Sequence, residues 1–205
     1  MSAKSTSVTV HLPVPQKIDL EGIRKVLVTD FSVEREDPTM DVGLEINRLI
    51  RRELAKYTSL EILDMVPPSI PEQAMADLLQ NRSFWRQLAR ANDADLIITG
   101  GIEFDVTDRS GFVEETGVSP TTGQRVRSTR FRERQGYRLG LDLAFIHGLS
   151  GDVLYENRFI EEITIDGKSS DHLSILFRMF ERIRPEVLAV VAPQKKTEER
   201  VLLSY

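Results

Sequence analysis

The sequence predicts an α/β fold, an α+β sandwich with a mixed sheet of about five strands, helices packed on its faces and a long β-hairpin. Apolar residues recur at helical spacing in some segments and at strand spacing, or in short β-branched runs, in others. The segments follow the order strand, helix, strand, helices, strand, hairpin, helix, which favours a layered mixed fold. At 205 residues the chain can bury one sizeable core. We expect an extended N-terminal arm (1–17), a single domain (18–192) and a C-terminal tail (193–205).

Composition narrows the classes of function. The net charge of -5 gives no global attraction for nucleic acid or for an anionic membrane surface. The absence of cysteine excludes disulfides, thiolate metal sites and cysteine nucleophiles. No apolar run approaches the roughly 20 residues that span a bilayer, so we expect a soluble domain.

The first half of the chain contains most of the predicted helices. Residues 7–20 alternate briefly and then meet two prolines, which indicates an extended arm or an edge strand. Residues 24–33 read as a buried strand and 59–64 as a short one. Between them, one apolar stripe predicts a helix from Asp41 through Val42, Ile46, Leu49, Ile50, Leu54 and Tyr57. Two helices follow, near 71–80 with Pro71 in the first turn, and near 83–92.

The second half predicts the centre of the sheet. Residues 95–106 have strand character, and residues 137–145 alternate between apolar and polar side chains, as in a strand with one buried face. Residues 147–152, which include Gly151 as a structural glycine, supply a turn into a returning strand at 153–165. A last amphipathic helix runs through Leu173 and Ile183, and Pro185 should kink or end it.

The pair Gly100-Gly101 raises the question of a phosphate-binding turn. Such a turn needs a helix after the glycines, whereas Ile-Glu-Phe-Asp-Val continues as a strand. No dinucleotide-binding or P-loop motif occurs in the chain. We therefore expect no cofactor, and we interpret both glycines as structural, at a bulge or at a close approach to a packed helix.

Other chemistry-bearing residues form no recognisable motif. His11, His147 and His172 lack the spacing of metal ligands, and Ser150 lies in a hairpin turn, not in a nucleophile elbow. Carboxylates are frequent and are interpreted as solubilising, although spacing alone does not show which of them are close in space; they are Asp105, Asp108, Glu114, Glu115, Asp142, Glu161 and Glu162. We expect neither a metal site nor a catalytic residue.

Residues 108–136 form a polar, turn-rich excursion without clear periodicity. Long segments of this kind inside a compact domain tend to be functional, so we interpret it as the interaction element. Its candidate partner-binding residues are Phe112, Arg125, Arg127, Arg130, Phe131, Arg132 and Arg134, because arginine and aromatic side chains are favoured at interface anchors. The same arginine run could bind a phosphate backbone, with Glu114 and Glu115 upstream as competing ion-pair partners.

Three stretches together resemble a known group of domains. They are IDLEGIRKVLVTDFSV (18–33), DVGLEINRLIRRELAKYTSLEILD (41–64) and LARANDADLIITGGIEF (88–104). They look like the opening, first helix and central strand of the CsgG-like, TolB-amino-terminal-like and LpoB-like envelope domains. LGLDLAFIHGLSGDVLYENRF (139–159) is similar to the later hairpin of these domains.

The resemblance implies a non-catalytic bacterial envelope protein that docks to other envelope proteins, with self-association as a further option, in secretion, cell-wall synthesis or outer-membrane assembly. It implies a lipoprotein on the periplasmic side of the outer membrane, attached only through a lipid anchor that this chain lacks; Met1 as the native start would indicate the cytoplasm. Two alternatives stay open: a small-molecule-binding or enzymatic domain with a cleft at the sheet end, and a nucleic-acid-binding module using Arg125 to Arg134.

Overall fold

A computed structural model describes residues 4–71, 73–118, 123–169 and 171–204 of the chain. The first half contains β1 (Lys4–Val14), β2 (Lys25–Val28), β3 (Ser32–Val33), α1 (Val42–Tyr57), β4 (Glu61–Ile62), α2 (Met75–Gln80) and α3 (Arg82–Asn92). The second half contains β5 (Leu96–Asp108), β6 (Gly111–Val118), β7 (Arg125–Arg132), β8 (Arg134–His147), β9 (Val153–Asp166), α4 (His172–Val191) and β10 (Gln194–Ser204).

The central sheet is mixed, which confirms the predicted fold class. Its strand order is β4-β2-β5-β8-β9, and β3 pairs with β5 just beyond β2. β2, β3 and β4 run parallel to their neighbours, whereas β5, β8 and β9 are joined in antiparallel pairs. β8 and β9 form the long hairpin, with one register shift between Phe145 and Ile146.

Helices cover the two faces of the sheet unequally. The larger core packs α1 and α4 against one face of β2, β5, β8 and β9. The smaller core lies on the opposite face, where α2 and α3 cover Leu27, Ile97, Ala144 and Ile146 around the buried Trp85. Because β5, β8 and β9 extend past the smaller core, neither α2 nor α3 covers part of this second face, which carries mainly polar side chains and the exposed Ile160.

Helix α1 forms as its apolar stripe predicts. Asp41 caps it by accepting a hydrogen bond from the Leu44 amide at 2.9 Å, and the stripe is buried through Leu54. Tyr57, which the same stripe includes, is 46% exposed at the last turn. The predicted helical spacing is therefore correct, but the apolar stripe leaves the core after Leu54, one turn before the helix ends.

Two helix boundaries differ from the sequence prediction. Helix α2 begins at Met75, so Pro71 lies in the preceding connection and not in a first helical turn. Helix α4 continues through Pro185 to Val191, so of the two predicted effects of this proline, a kink or an end, the end does not occur. Val187, Leu188, Val190 and Val191 are buried in the larger core after the proline, and this burial holds the last turns in place.

The two ends of the chain pair with each other. β1 and β10 form an antiparallel two-stranded ribbon from Lys4 opposite Ser204 to Val14 opposite Gln194. Lys17 and Ile18 then donate backbone hydrogen bonds to the carbonyl of Val190, at 3.1 and 3.2 Å. The arm and the tail, which we expected as separate segments, thus meet beside the end of α4.

Residues 108–136 are not the structureless excursion that their composition indicated. They contain β6 and β7, which pair antiparallel from Gly111 opposite Arg132 to Val118 opposite Arg125. Asp108 pairs with Gln135 in the central sheet, so two residues lie between the two pairings on each strand and no residue is inserted. The segment continues the β5–β8 pairing outwards, and we call β6 and β7 together (111–118 and 125–132) the distal ribbon.

Candidate functional site

The distal ribbon is joined to the sheet at a small polar junction. The Arg109 amide donates to the Arg134 carbonyl at 2.9 Å, and the Ser110 hydroxyl accepts from the Arg134 amide at 3.0 Å. Asp108 accepts from the Ser110 amide at 2.8 Å, and these hydrogen bonds from Ser110 hold the pKa of the Asp108 carboxyl below its usual value. The junction therefore carries the β5–β8 register into the ribbon. Eight residues per strand give the ribbon a length of roughly 26 Å.

Two phenylalanines face each other at the base of the ribbon. Phe112 lies directly opposite Phe131, and their rings meet edge to face with centroids 5.3 Å apart. Phe112 is 77% exposed and Phe131 is 56% exposed. Strand alternation places the pair on the side of the hairpin that also carries Phe104 and Tyr137, next to the start of α4. The pair thus forms an uncovered aromatic patch on the same side as the larger core, separated from Tyr137 by the polar residues of the junction, which include Asp108 and Gln135.

The arginines of the ribbon are divided between its two faces. Alternation puts Arg125 and Arg127 on the side of the aromatic pair, and Arg130 and Arg132 on the opposite side. Arg132 forms an ion pair with Glu115 across the two strands. Within the described part of the chain, no carboxylate lies at ion-pair distance from Arg125, Arg127 or Arg130. Strand β7 is therefore a basic strand with one of its four charges paired inside the ribbon.

Arg134 belongs to the sheet and not to the ribbon. It is the first residue of β8, and its Nε donates to the Asp166 carboxylate of β9 at 3.1 Å. This pairing fixes Arg134 at the root of the ribbon, where it orients the hairpin. Of the seven predicted contact residues, the structure places six on the ribbon.

Arg109, which the sequence did not single out, covers the sheet beside the junction. A Cβ atom on Gly136 would come within 2.5 Å of Arg109 Nε, so the arginine chain lies over this glycine. Arg158 lies over Gly140 in the same way, and it contacts the Glu103 and Asp142 carboxylates. Neither arrangement has a local sequence signal, because each arginine and its glycine are distant in the chain and become neighbours only through strand pairing.

The predicted solubilising carboxylates are held mostly in ion pairs. Asp105 pairs with Arg35 at 2.5 Å, Glu162 with Arg138 at 3.3 Å and Glu161 with Arg182 at 2.6 Å. Asp108 faces Lys168 at 3.6 Å. The pairs of Asp105 and Glu162 lie with Arg158 on the open face of the sheet, whereas the pairs of Glu161 and Asp108 lie on the α4 side. The five best-formed depressions among the described residues are lined by residues other than Asp105, Asp142 and Glu161.

The glycine pair of β5 lies in uninterrupted sheet. Gly100 and Gly101 pair with Leu143 and Asp142 in a continuous register, so no bulge is present at this point. A Cβ on Gly100 would overlap the carbonyl oxygen of Asp142 and lie 2.9 Å from its carbon, whereas a Cβ on Gly101 would meet only the Ser32 hydroxyl at 3.2 Å. The close neighbour is the adjacent strand and not the helix that we expected. Gly151 adopts φ +73° in the β8–β9 turn, against the backbone of Arg82.

Two histidines have internal partners, and the side chain of His11 lies outside the described atoms. His147 is half-buried at the end of β8, with Nδ1 3.1 Å from the Ser150 hydroxyl. His172 Nδ1 lies 2.7 Å from the Asp37 carboxylate. No cluster of metal-ligating side chains occurs among the residues that the structure describes.

The Asp37–His172 pair connects the loop before α1 to the first residue of α4. Burial by itself raises the pKa of the Asp37 carboxyl, but hydrogen bonds from Thr39 and His172 together outweigh it and hold this pKa below its usual 3.8. A depression of about 510 Å³ lies beside this loop. It is lined by residues 36–41 of the loop together with Val33 at the end of β3 and Val42 at the start of α1. No local sequence pattern indicates this pair, because the two residues are 135 positions apart.

None of the helices in the described ranges is long and apolar enough to cross a membrane. No protein-family model matches the chain, and no curated protein matches it in sequence.

Several solved structures are similar over most of the chain. The PelC dodecamer from Paraburkholderia phytofirmans is 16% identical, with 92% of this chain and 99% of that chain covered and a TM-score of 0.42. Lipoprotein GNA1162 from Neisseria meningitidis is 11% identical, with 80% and 98% covered and a TM-score of 0.42. The hypothetical protein CT253 from Chlamydia trachomatis is 13% identical, with 82% and 95% covered and a TM-score of 0.46. Overlaps at these TM-scores carry no argument about family or function, so the likeness to CsgG-like domains stays an expectation from the sequence.

Proposed function

We propose that this protein is a non-catalytic docking module of the bacterial envelope, and that its distal ribbon binds partner proteins. The observation that carries the proposal is the exposed Phe112–Phe131 pair on a ribbon that extends beyond the helices. Single exposed apolar residues are ordinary on protein surfaces, whereas two aromatic rings in direct contact form a continuous patch. The envelope assignment is supported by the sequence resemblance to CsgG-like, TolB-amino-terminal-like and LpoB-like domains.

The charges around the patch favour a protein partner. Aromatic and arginine side chains together are the residue types enriched at the energetic centre of protein interfaces. On the face of the ribbon that carries the phenylalanines, Arg125 and Arg127 continue the surface outwards. The two rings contact each other edge to face and do not present parallel open faces, which is less suited to stacking nucleobases.

The test compares two double variants in crosslinking and pulldown from the cell envelope fraction of the native host. Phe112→Ala with Phe131→Ala removes the patch, and Val66→Ala with Leu149→Ala is the matched control, because these side chains are 85% and 73% exposed elsewhere. We expect the control to retain the partners of the unmodified protein. The patch variant should bind them about 30-fold more weakly, as loss of an interface anchor costs about 2 kcal/mol or more.

Identical partners and affinities for both double variants would overturn the proposal. Circular dichroism and thermal unfolding serve as the check on folding, and we expect little change because both phenylalanines are largely exposed. Salt-sensitive retention of the unmodified protein on a polynucleotide column would instead support the nucleic-acid alternative.

A further inference from the structure

The central sheet has an open position for one more strand beside β7. β9 pairs with β8 as far as Asp166 opposite Arg134, and the Gly167 amide adds one more hydrogen bond, to the Glu133 carbonyl at 2.7 Å. Gly167 then adopts φ +82° and the chain turns away towards α4. β7 continues outwards from β8 without β9 beside it. We call this unoccupied position, alongside residues 125–132, the β7 lane.

A depression marks the start of the β7 lane. It has a volume of about 320 Å³ and is lined by Arg132, Glu133, Asp166 and Gly167, where β9 leaves the sheet. Among the described strands, β7 pairs only with β6, and its other edge makes no backbone hydrogen bond to another described element. Unpaired strand edges are templates for an added strand, and a ribbon of two strands is only marginally stable by itself.

The charge along the lane specifies its occupant. Arg125 and Arg127 project on one side of β7, and Arg130 on the other, so an added strand would have arginines beside both of its faces. Side chains directly opposite on neighbouring strands lie about 5 Å apart, within reach of an ion pair. Phe131 offers an apolar neighbour at the inner end of the lane.

We propose that the β7 lane binds an extended, acidic segment of a partner protein by strand addition. This inference rests on the proposed docking function and specifies its partner. The segment carries acidic residues opposite Arg125, Arg127 and Arg130, and an apolar residue opposite Phe131. Backbone hydrogen bonds to β7 supply the binding geometry, and the alternating side chains supply specificity.

The probe is a synthetic heptapeptide with this pattern, ETETVEF for a parallel strand and FEVTETE for an antiparallel one. We expect one of the two peptides to shift the amide signals of residues 125–132 in NMR titrations of the isotope-labelled full chain at about millimolar peptide, the range of weak strand addition. A peptide with lysine in place of glutamate should not bind. A peptide with the same charges and N-methylated amides should also fail, since it cannot pair along the backbone.

Protein variants separate the lane from general charge effects. Arg127→Glu with Arg130→Glu should weaken binding about tenfold or more. Arg90→Glu, at an exposed arginine on α3, changes charge away from the lane and should leave binding within about twofold.

Three results would overturn the inference. The first is that neither acidic peptide shifts the amide signals of residues 125–132, and the second is that the N-methylated peptide binds equally well. The third is that these amide signals shift with protein concentration alone, which would assign the β7 lane to a second copy of the chain. If the acidic peptides fail while Phe112→Ala with Phe131→Ala still abolishes partner capture, the strand-addition inference is refuted and the docking function remains supported.

Discussion

Alanine at position 100 tests the contact between the two central strands. The added methyl group would overlap the Asp142 carbonyl oxygen and lie 3.2 Å from the Leu143 Cα, so its three nearest neighbours are all backbone atoms. β8 would have to retreat by about 1 Å or more, because no flexible side chain can move instead. Lengthening two buried backbone hydrogen bonds, at about 1–3 kcal/mol each, predicts that Gly100→Ala lowers the free energy of unfolding by about 3 kcal/mol.

The neighbouring glycine supplies the matched control. A Cβ on Gly101 meets only the Ser32 hydroxyl at 3.2 Å, which can rotate away. Replacing glycine by alanine also stabilises a chain by about 0.4–1 kcal/mol through the unfolded state, so Gly101→Ala should stay within about 1 kcal/mol of the unmodified protein. Urea unfolding followed by circular dichroism measures both changes. Equal costs at the two positions, or a smaller cost at position 100, would refute this account of the glycine pair.

The remaining predictions concern two buried polar contacts. Because the folded pKa of Asp37 lies below 3.8, its contribution to stability is fully present above about pH 3.8 and is lost as the pH falls through the folded value. Asp37→Asn should therefore lower the free energy of unfolding by about 2 kcal/mol at neutral pH and reduce the loss of stability on acidification. If urea unfolding of this variant showed the same dependence on pH as the unmodified protein, the prediction would be contradicted. Trp85→Phe keeps most of the buried ring but removes the hydrogen bond that Nε1 donates to the Leu78 carbonyl at 2.9 Å. This variant should lower the free energy of unfolding by about 2 kcal/mol, measured by thermal unfolding. A cost below about 0.5 kcal/mol would show that water satisfies the carbonyl.

Helices and strands with one buried face could be predicted because their apolar residues recur in the sequence at helical or strand spacing. Residues 137–145 alternate strictly, and they pack one face against α4. The α1 stripe predicts a helix for the same reason, since Ile46, Leu49 and Ile50 are buried at helical spacing while Leu44 and Arg48 lie on the exposed side. Pro185 does not end α4, because the burial of Val187 and Leu188 beyond it is a tertiary effect that local propensity does not contain.

The distal ribbon could be located from its composition but not identified as paired strands. Both of its faces are open to solvent, so no apolar alternation marks its strands as it does in β8. The contact of Phe112 with Phe131 depends on the register of the β5–β8 pairing, which ends four residues away on each strand where Asp108 pairs with Gln135, and no local pattern encodes it. The same holds for Arg109 over Gly136, because the two residues become neighbours only through strand pairing.

Because the register continues unbroken from β5–β8 into the distal ribbon, the length of the hairpin also determines on which side the Phe112–Phe131 pair lies. One residue added to each strand between the junction and Phe112 would lengthen the hairpin by about 3.3 Å and would turn the aromatic pair to the opposite side. Two residues on each strand would lengthen it by about 7 Å and would preserve the facing. Homologues that vary this hairpin while retaining the same contact surface are therefore expected to differ by even numbers of residue pairs.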